Sequence, residues 1–209
     1  MLDKYVYFGN LLPEEEQYRS DLFVGLALNN PYEKDILHDA TKPLPFADHT
    51  VIGFQSQDVF EHIEFAKIRL SLDEVFRCLR QGGLFRLSLP DYNSPVLKSR
   101  SVYDCDGNLL CDLAMGGSVR GTMNGGLTVS FGDGGGSHLW FPTYCNVLHL
   151  IVSSKIRKCS SISIHHAWLD AKTYICKEFD QTIMPVRRTP PKDMRAGGKP
   201  VSIVIDFVK

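Results

Sequence analysis

The chain has 209 residues, 44% hydrophobic and 22% charged, with a formal net charge of −1, which predicts one soluble globular domain with a substantial core. No stretch approaches the length of a membrane span, and "MLDKYVYFGN" lacks the basic region, apolar core and cleavage site of a signal peptide, so a cytoplasmic protein with no membrane partner is expected. Six cysteines form no CxxC and no zinc spacing, which predicts reduced structural thiols and no metal.

Charge is uneven along the chain. Residues 1–50 hold 4 Lys/Arg against 9 Asp/Glu, whereas residues 155–209 hold 11 against 5. The basic residues of "MPVRRTPPKDMRAGGKP" are spread among Pro and Gly rather than interleaved with aromatics, which favours a solvated loop at about 185–200 over a nucleic-acid surface and leaves an anionic substrate open.

In chain order the pattern predicts a strand "KYVYFG", a short acidic helix or loop "PEEEQYR", and strands "LFVGLAL", "DILHDA" and "TVIGFQS". A helix over 68–81 follows, with Ile68, Leu72, Val75, Phe76 and Leu79 on one face. Gly82 or Gly83 then closes the helix in the left-handed conformation, and strand "LFRLSL" ends at Pro90. A Gly-, Asp-, Asn- and Ser-rich stretch at about 104–137 is long for a loop inside a compact domain and reads as a functional or mobile insertion. A helix "TYCNVLHLIVSSKI" and strands "SISIHHAW" and "VSIVIDFV" complete the chain. Strands alternating with helices imply a mostly parallel α/β sheet, in which ligands bind beyond the carboxyl ends of the strands.

Two stretches carry a resemblance. "HDATKPLPFADHTVIGFQSQDVFEHI" followed by "LDEVFRCLRQGGLFRLSLPD" resembles, without a gap from about 35 to 92, the centre of small class I S-adenosylmethionine-dependent methyltransferases of the type 11 kind. The resemblance implies a Rossmann-like, mostly parallel seven-stranded sheet with an antiparallel C-terminal edge strand, forming a single domain over residues 1–209. It also implies S-adenosylmethionine as cofactor, with Asp39 and the backbone of Ala40 at the adenine and Gln55, Ser56 and Gln57 along the methionine side. Two departures stand out. The glycine-rich turn after the first strand is reduced to "YFGN", leaving Gly9 and Asn10 to approach the cofactor, and no carboxylate stands near Ala27 for the ribose, where Asn29 or Asn30 would substitute.

Methyl transfer depends mainly on holding nucleophile, carbon and sulfur in line. Candidate bases are His138, just after the glycine-rich stretch, then Asp91 and Tyr92 beyond the fifth strand, and His62 of the "EH" pair. The function expected is methyl transfer to a small-molecule or sugar-type acceptor, the glycine-rich stretch acting as a lid. The alternative is an inactive module of the same fold that binds a protein or an anionic glycan through the basic loop. A phosphate-loop reading of "GDGGG" lacks the G-x-x-x-x-G-K-[ST] pattern. His165 and His166, adjacent on a strand, point to opposite faces.

Overall fold

A computed structural model describes residues 2–130 and 136–209, with side chains from residue 4 onward. Residues 132–135 of "GDGGG" lie outside the described residues. Among the described residues, strands β1 (Leu2–Phe8), β2 (Phe23–Ala27), β3 (Asp35–Leu37), β4 (Val51–Gln57), β5 (Leu79–Pro90), β10 (Ser161–Trp168), β11 (Tyr174–Cys176) and β12 (Ser202–Val208) form one sheet. Its order is β11-β10-β12-β5-β4-β1-β2-β3. β1 to β5 run parallel, and β12, β10 and β11 add an antiparallel edge. The mostly parallel sheet with its antiparallel C-terminal edge is as expected; β11 makes it eight-stranded rather than seven-stranded.

One face of the sheet is covered by helices α1 (Phe65–Cys78) and α3 (Tyr144–Ser153). α1 turns Ile68, Leu72, Val75 and Cys78 onto Phe54 and Phe85 in the main core, the 3.6-residue stripe expected of a half-buried helix. It starts and ends three residues earlier than predicted. Leu79 already pairs with Val51 on β4, and the register then slips before Gly53 meets Leu84. Gly82 does take a left-handed φ of 71°, but in this slip rather than at the helix end. α3 begins at a capping box between Thr143 and Asn146.

The opposite face has little helix. A 3-10 turn (Glu16–Arg19) and the segment around Met184 cover it. Gly53 makes this approach feasible, since a Cβ there would stand 2.7 Å from both Met184 Cε and Tyr5 Cδ1. Gln55 and Gln57 of β4 also face this side: Gln55 donates to the Pro185 carbonyl at 2.8 Å, and Gln57 accepts from the Arg187 amide at 2.9 Å. The basic loop is therefore a strap. Its cations reach acids from the first third of the chain, Arg187 meeting Glu15, Arg188 meeting Asp58 and Lys192 meeting Glu16. Part of the charge asymmetry of the sequence is taken up within the molecule.

Arg86 on β5 and Asp206 on β12 are cross-strand partners, joined by two bonds of 2.7 Å. Arg86 also donates to the carbonyls of Asp180 and Met184 and lies 4.6 Å from the Phe179 ring centre. The neighbouring histidines part company across a bulge between Ile164 and His166: His165 meets Asp206, and His166 meets the Lys177 carbonyl.

The 104–137 insertion is more regular than its composition suggested. It is flanked and filled by hairpins β6–β7 (Ser101–Tyr103, Leu109–Asp112) and β8–β9 (Ser118–Gly121, Leu127–Ser130). All six cysteines are free, and among the described residues no helix is long and apolar enough to cross a membrane.

Burial pushes the Asp206 carboxyl up, but hydrogen bonds from Arg86 and His165 outweigh it and hold the group below the usual value. Its contribution to stability is therefore complete above the unfolded value of about 3.9 and is lost as pH falls through the lower folded one. Asp206→Asn, which strands a buried guanidinium, is expected to cost about 3–5 kcal/mol in urea denaturation at neutral pH. The gap to the parent should narrow in acid; a pH-independent gap would contradict this account.

Candidate functional site

A cavity of about 250 Å³ opens at the carboxyl ends of β1 to β4. Gly9 borders it after β1, Leu26 and Leu28 line it from β2, His38, Asp39, Ala40 and Thr41 from beyond β3, and Val59 from beyond β4. Its far wall is His62, Ile63, Glu64, Lys67 and Leu139. Gly9, Asp39, Ala40 and His62, singled out from the sequence 22 or more residues apart in three separate segments, thus share one cavity.

Gly9 has φ 94°, and a Cβ there would come within 3.2 Å of Val59 Cγ2. The positive φ favours glycine there, and Val59 leaves little room for a side chain. The chain then turns back across β2, where Gly9 bridges Leu26. The turn is held by a residue the sequence reading passed over. Asp35 Oδ1 accepts from the Leu11 amide at 3.1 Å, and Oδ2 accepts from the Tyr32 amide and from Asn10 Nδ2. Gly25 leaves room for this carboxylate, since a Cβ there would sit 1.9 Å from Asp35 Oδ1. Asn10 is therefore turned toward Asp35 and the carbonyls of Asn29 and Asn30. Those two asparagines are exposed and outside the cavity lining.

Asp39 Oδ1 accepts from both the amide and the hydroxyl of Thr41, and these bonds hold its carboxyl below the usual range. The second oxygen has no such partner among the described residues. His38, unmarked in the sequence reading, also lines the cavity, and its buried Nε2 has no hydrogen-bond partner among the described residues. Gln55 and Gln57 are buried under the strap, and Ser56 is buried with an unpartnered hydroxyl; none of the three lines the cavity.

Behind the His62 wall lies a buried polar cluster. The segment 138–140 runs back to the 3-10 turn Phe60–His62, with the Leu139 amide on the Glu61 carbonyl at 2.8 Å and Trp140 Nε1 on the Phe60 carbonyl at 2.9 Å. This brings the His138 ring 4.9 Å from the His62 ring. Tyr92, just beyond β5, donates to Asp112 at 2.5 Å and lies 2.6 Å from His138 Nδ1. Arg100 stands 2.8 Å from Asp112. Burial holds His138 down to about 3, a weak base, and raises Glu61 well above an ordinary glutamate. Asp91 is raised by burial to about 6 and accepts from the amides of Trp168 and Asn93. It clamps the ends of β5 and β10 together. Of the four candidate bases, His62 lines this cavity and His138, Asp91 and Tyr92 are not in its lining.

The chain matches no protein-family model, and no curated protein matches it in sequence. Solved structures do match in fold. A SAM-dependent methyltransferase from Archaeoglobus fulgidus superposes with a TM-score of 0.56 at 13% identity, covering 99% of this chain and 86% of its own. One from Thermotoga maritima gives 0.53 at 11%, covering 99% and 81%, and one from Mesorhizobium loti gives 0.50 at 15%, covering 99% and 90%. At these identities the likeness is one of fold, and the chain has the fold of S-adenosylmethionine-dependent methyltransferases over nearly its whole length.

Tyr92→Phe removes the hydroxyl between His138 and Asp112 and leaves two buried groups short of a partner. A loss of about 1–3 kcal/mol is expected in urea denaturation. A loss within experimental error would show that the chain of hydrogen bonds is not made in solution.

Proposed function

We propose that this protein is an S-adenosylmethionine-dependent methyltransferase acting on a small polar acceptor. The observation that carries the reading is the cavity at the carboxyl ends of β1 to β4, bordered by Gly9 on one side and Asp39 on the other. Open α/β sheets bind nucleotides in this crevice, where the strand order reverses between β1 and β4. Agreement in fold with methyltransferases along 99% of the chain supports it.

Ala40, Leu28 and Asp39 line one end of the cavity and would hold the donor's adenine, the second oxygen of Asp39 serving as acceptor for its exocyclic amine. Thr41 fixes that carboxylate from the other side. His38, next to Asp39 in the lining, would stand in for the acid missing after β2. The sulfonium activates its own methyl group, so the protein's task is alignment. The acceptor approaches along the wall of His62, Glu64, Lys67 and Leu139. His138, tied to Tyr92 and weakly basic, takes no proton from it.

The inactive-module alternative would bind its partner through the basic loop. Arg187, Arg188 and Lys192 are engaged within the chain, and Asn10 is turned out of the cleft.

Thermal denaturation with S-adenosylmethionine or S-adenosylhomocysteine tests the reading, because a ligand that binds only the folded form raises Tm. An upward shift is expected with each. Asp39→Asn should weaken S-adenosylhomocysteine by about tenfold or more, the value of a hydrogen bond to a charged acceptor, while Asn29→Ala leaves it unchanged. No shift at millimolar ligand would overturn the proposal.

A further inference from the structure

Two imidazole nitrogens and the Glu61 carboxyl meet behind the cavity wall, and no other described residue donates a hydrogen bond to that carboxyl. The Ser137 carbonyl can only accept, so the His62 Nδ1 that it faces at 2.9 Å carries the ring proton. Tyr92 gives its own proton to Asp112, so its phenolic oxygen receives the Nδ1 proton of His138. Each imidazole therefore turns a bare Nε2 inward. These atoms lie 3.9 and 3.7 Å from Oε1 of Glu61. Glu61 is fully buried, and among the described residues neither carboxylate oxygen has a hydrogen-bond partner.

Converging lone pairs around an unpartnered, buried carboxylate are costly unless something positive sits among them. The outer side of each ring is anchored, one to a backbone carbonyl and the other to a tyrosine–aspartate pair, which is how metal-bound histidines are oriented. Two imidazoles and a carboxylate suit a divalent transition ion. The three ligand atoms fall within 4.8 Å of one another. Metal bonds of about 2.0–2.2 Å require them to draw in slightly. We propose that Glu61, His62 and His138 bind one divalent transition-metal ion, with zinc chemistry, in the inner wall of the cavity. His62 lies on the cavity surface, so the site has an entry path. The sequence reading expected no metal because the ligands are a sequence-adjacent pair and a histidine 76 residues away.

The test uses the full chain, stripped with a chelator and then titrated with Co²⁺ by visible absorption and with Zn²⁺ against a chromogenic chelator. No methyl donor is present, so the result is independent of the function proposed above. One equivalent of each ion should bind, and Glu61→Gln and His62→Ala should each weaken it by about tenfold or more. Circular dichroism and urea midpoints establish that both variants fold; Glu61→Gln is isosteric and removes a buried charge. Absence of one-equivalent binding, or binding that both variants leave untouched, as thiol ligation would give, overturns the proposal.

Discussion

A guanidinium buried within a sheet must find fixed acceptors, and Arg86 places four of its five hydrogens on partners within the chain. Asp206 takes two of its hydrogens from the neighbouring strand, and two carbonyls of the strap take others. That arrangement fastens the antiparallel edge to the parallel half and lays the Met184 segment over a face that lacks long helices. A buried pair of this kind adds little net stability over an apolar one, but it fixes which groups must meet. Gln17, Gln55 and Gln57 extend the polar layer beneath the strap.

With that face closed, ligand chemistry falls to the carboxyl ends of the strands. β1 brings Gly9, the turn after β3 brings His38 and Asp39, and the turn after β4 brings Glu61 and His62. The return of the insertion seals the back, because the Leu139 amide pairs with the Glu61 carbonyl. One backbone contact thus sets both the far wall of the cavity and the meeting of His138 with His62. Tyr92 comes from just beyond β5, and Asp112 from the end of β7 in the first hairpin.

Much of this was legible in the sequence. Apolar runs bounded by Gly and Pro marked the parallel strands, and the α1 stripe marked its buried face, because both reflect local periodicity. The grouping of Gly9, Asp39 and His62 followed from a motif resemblance. What escaped notice depends on distant partners. Gln55 and Gln57 alternate correctly along β4, but a strand buried on both faces does not reveal which side meets the ligand. Asp35 looks like any acid opening a strand until Gly25 makes space for it. The regularity inside the glycine-rich insertion was hidden because short hairpins and irregular loops share a composition. Helix α1 stopped before its two glycines because Leu79 had already found Val51, a tertiary pairing that outranks the local stop signal.

The reach of Asp35 across Gly25 has one more consequence. In nucleotide-binding turns of this kind, exposed backbone amides greet the negatively charged part of the guest. Here the Leu11 amide is already answered from within, so the protein wears its own counter-ion at the door. That amide is no longer free to donate to a ligand, and the turn after β1 is held by bonds within the chain itself.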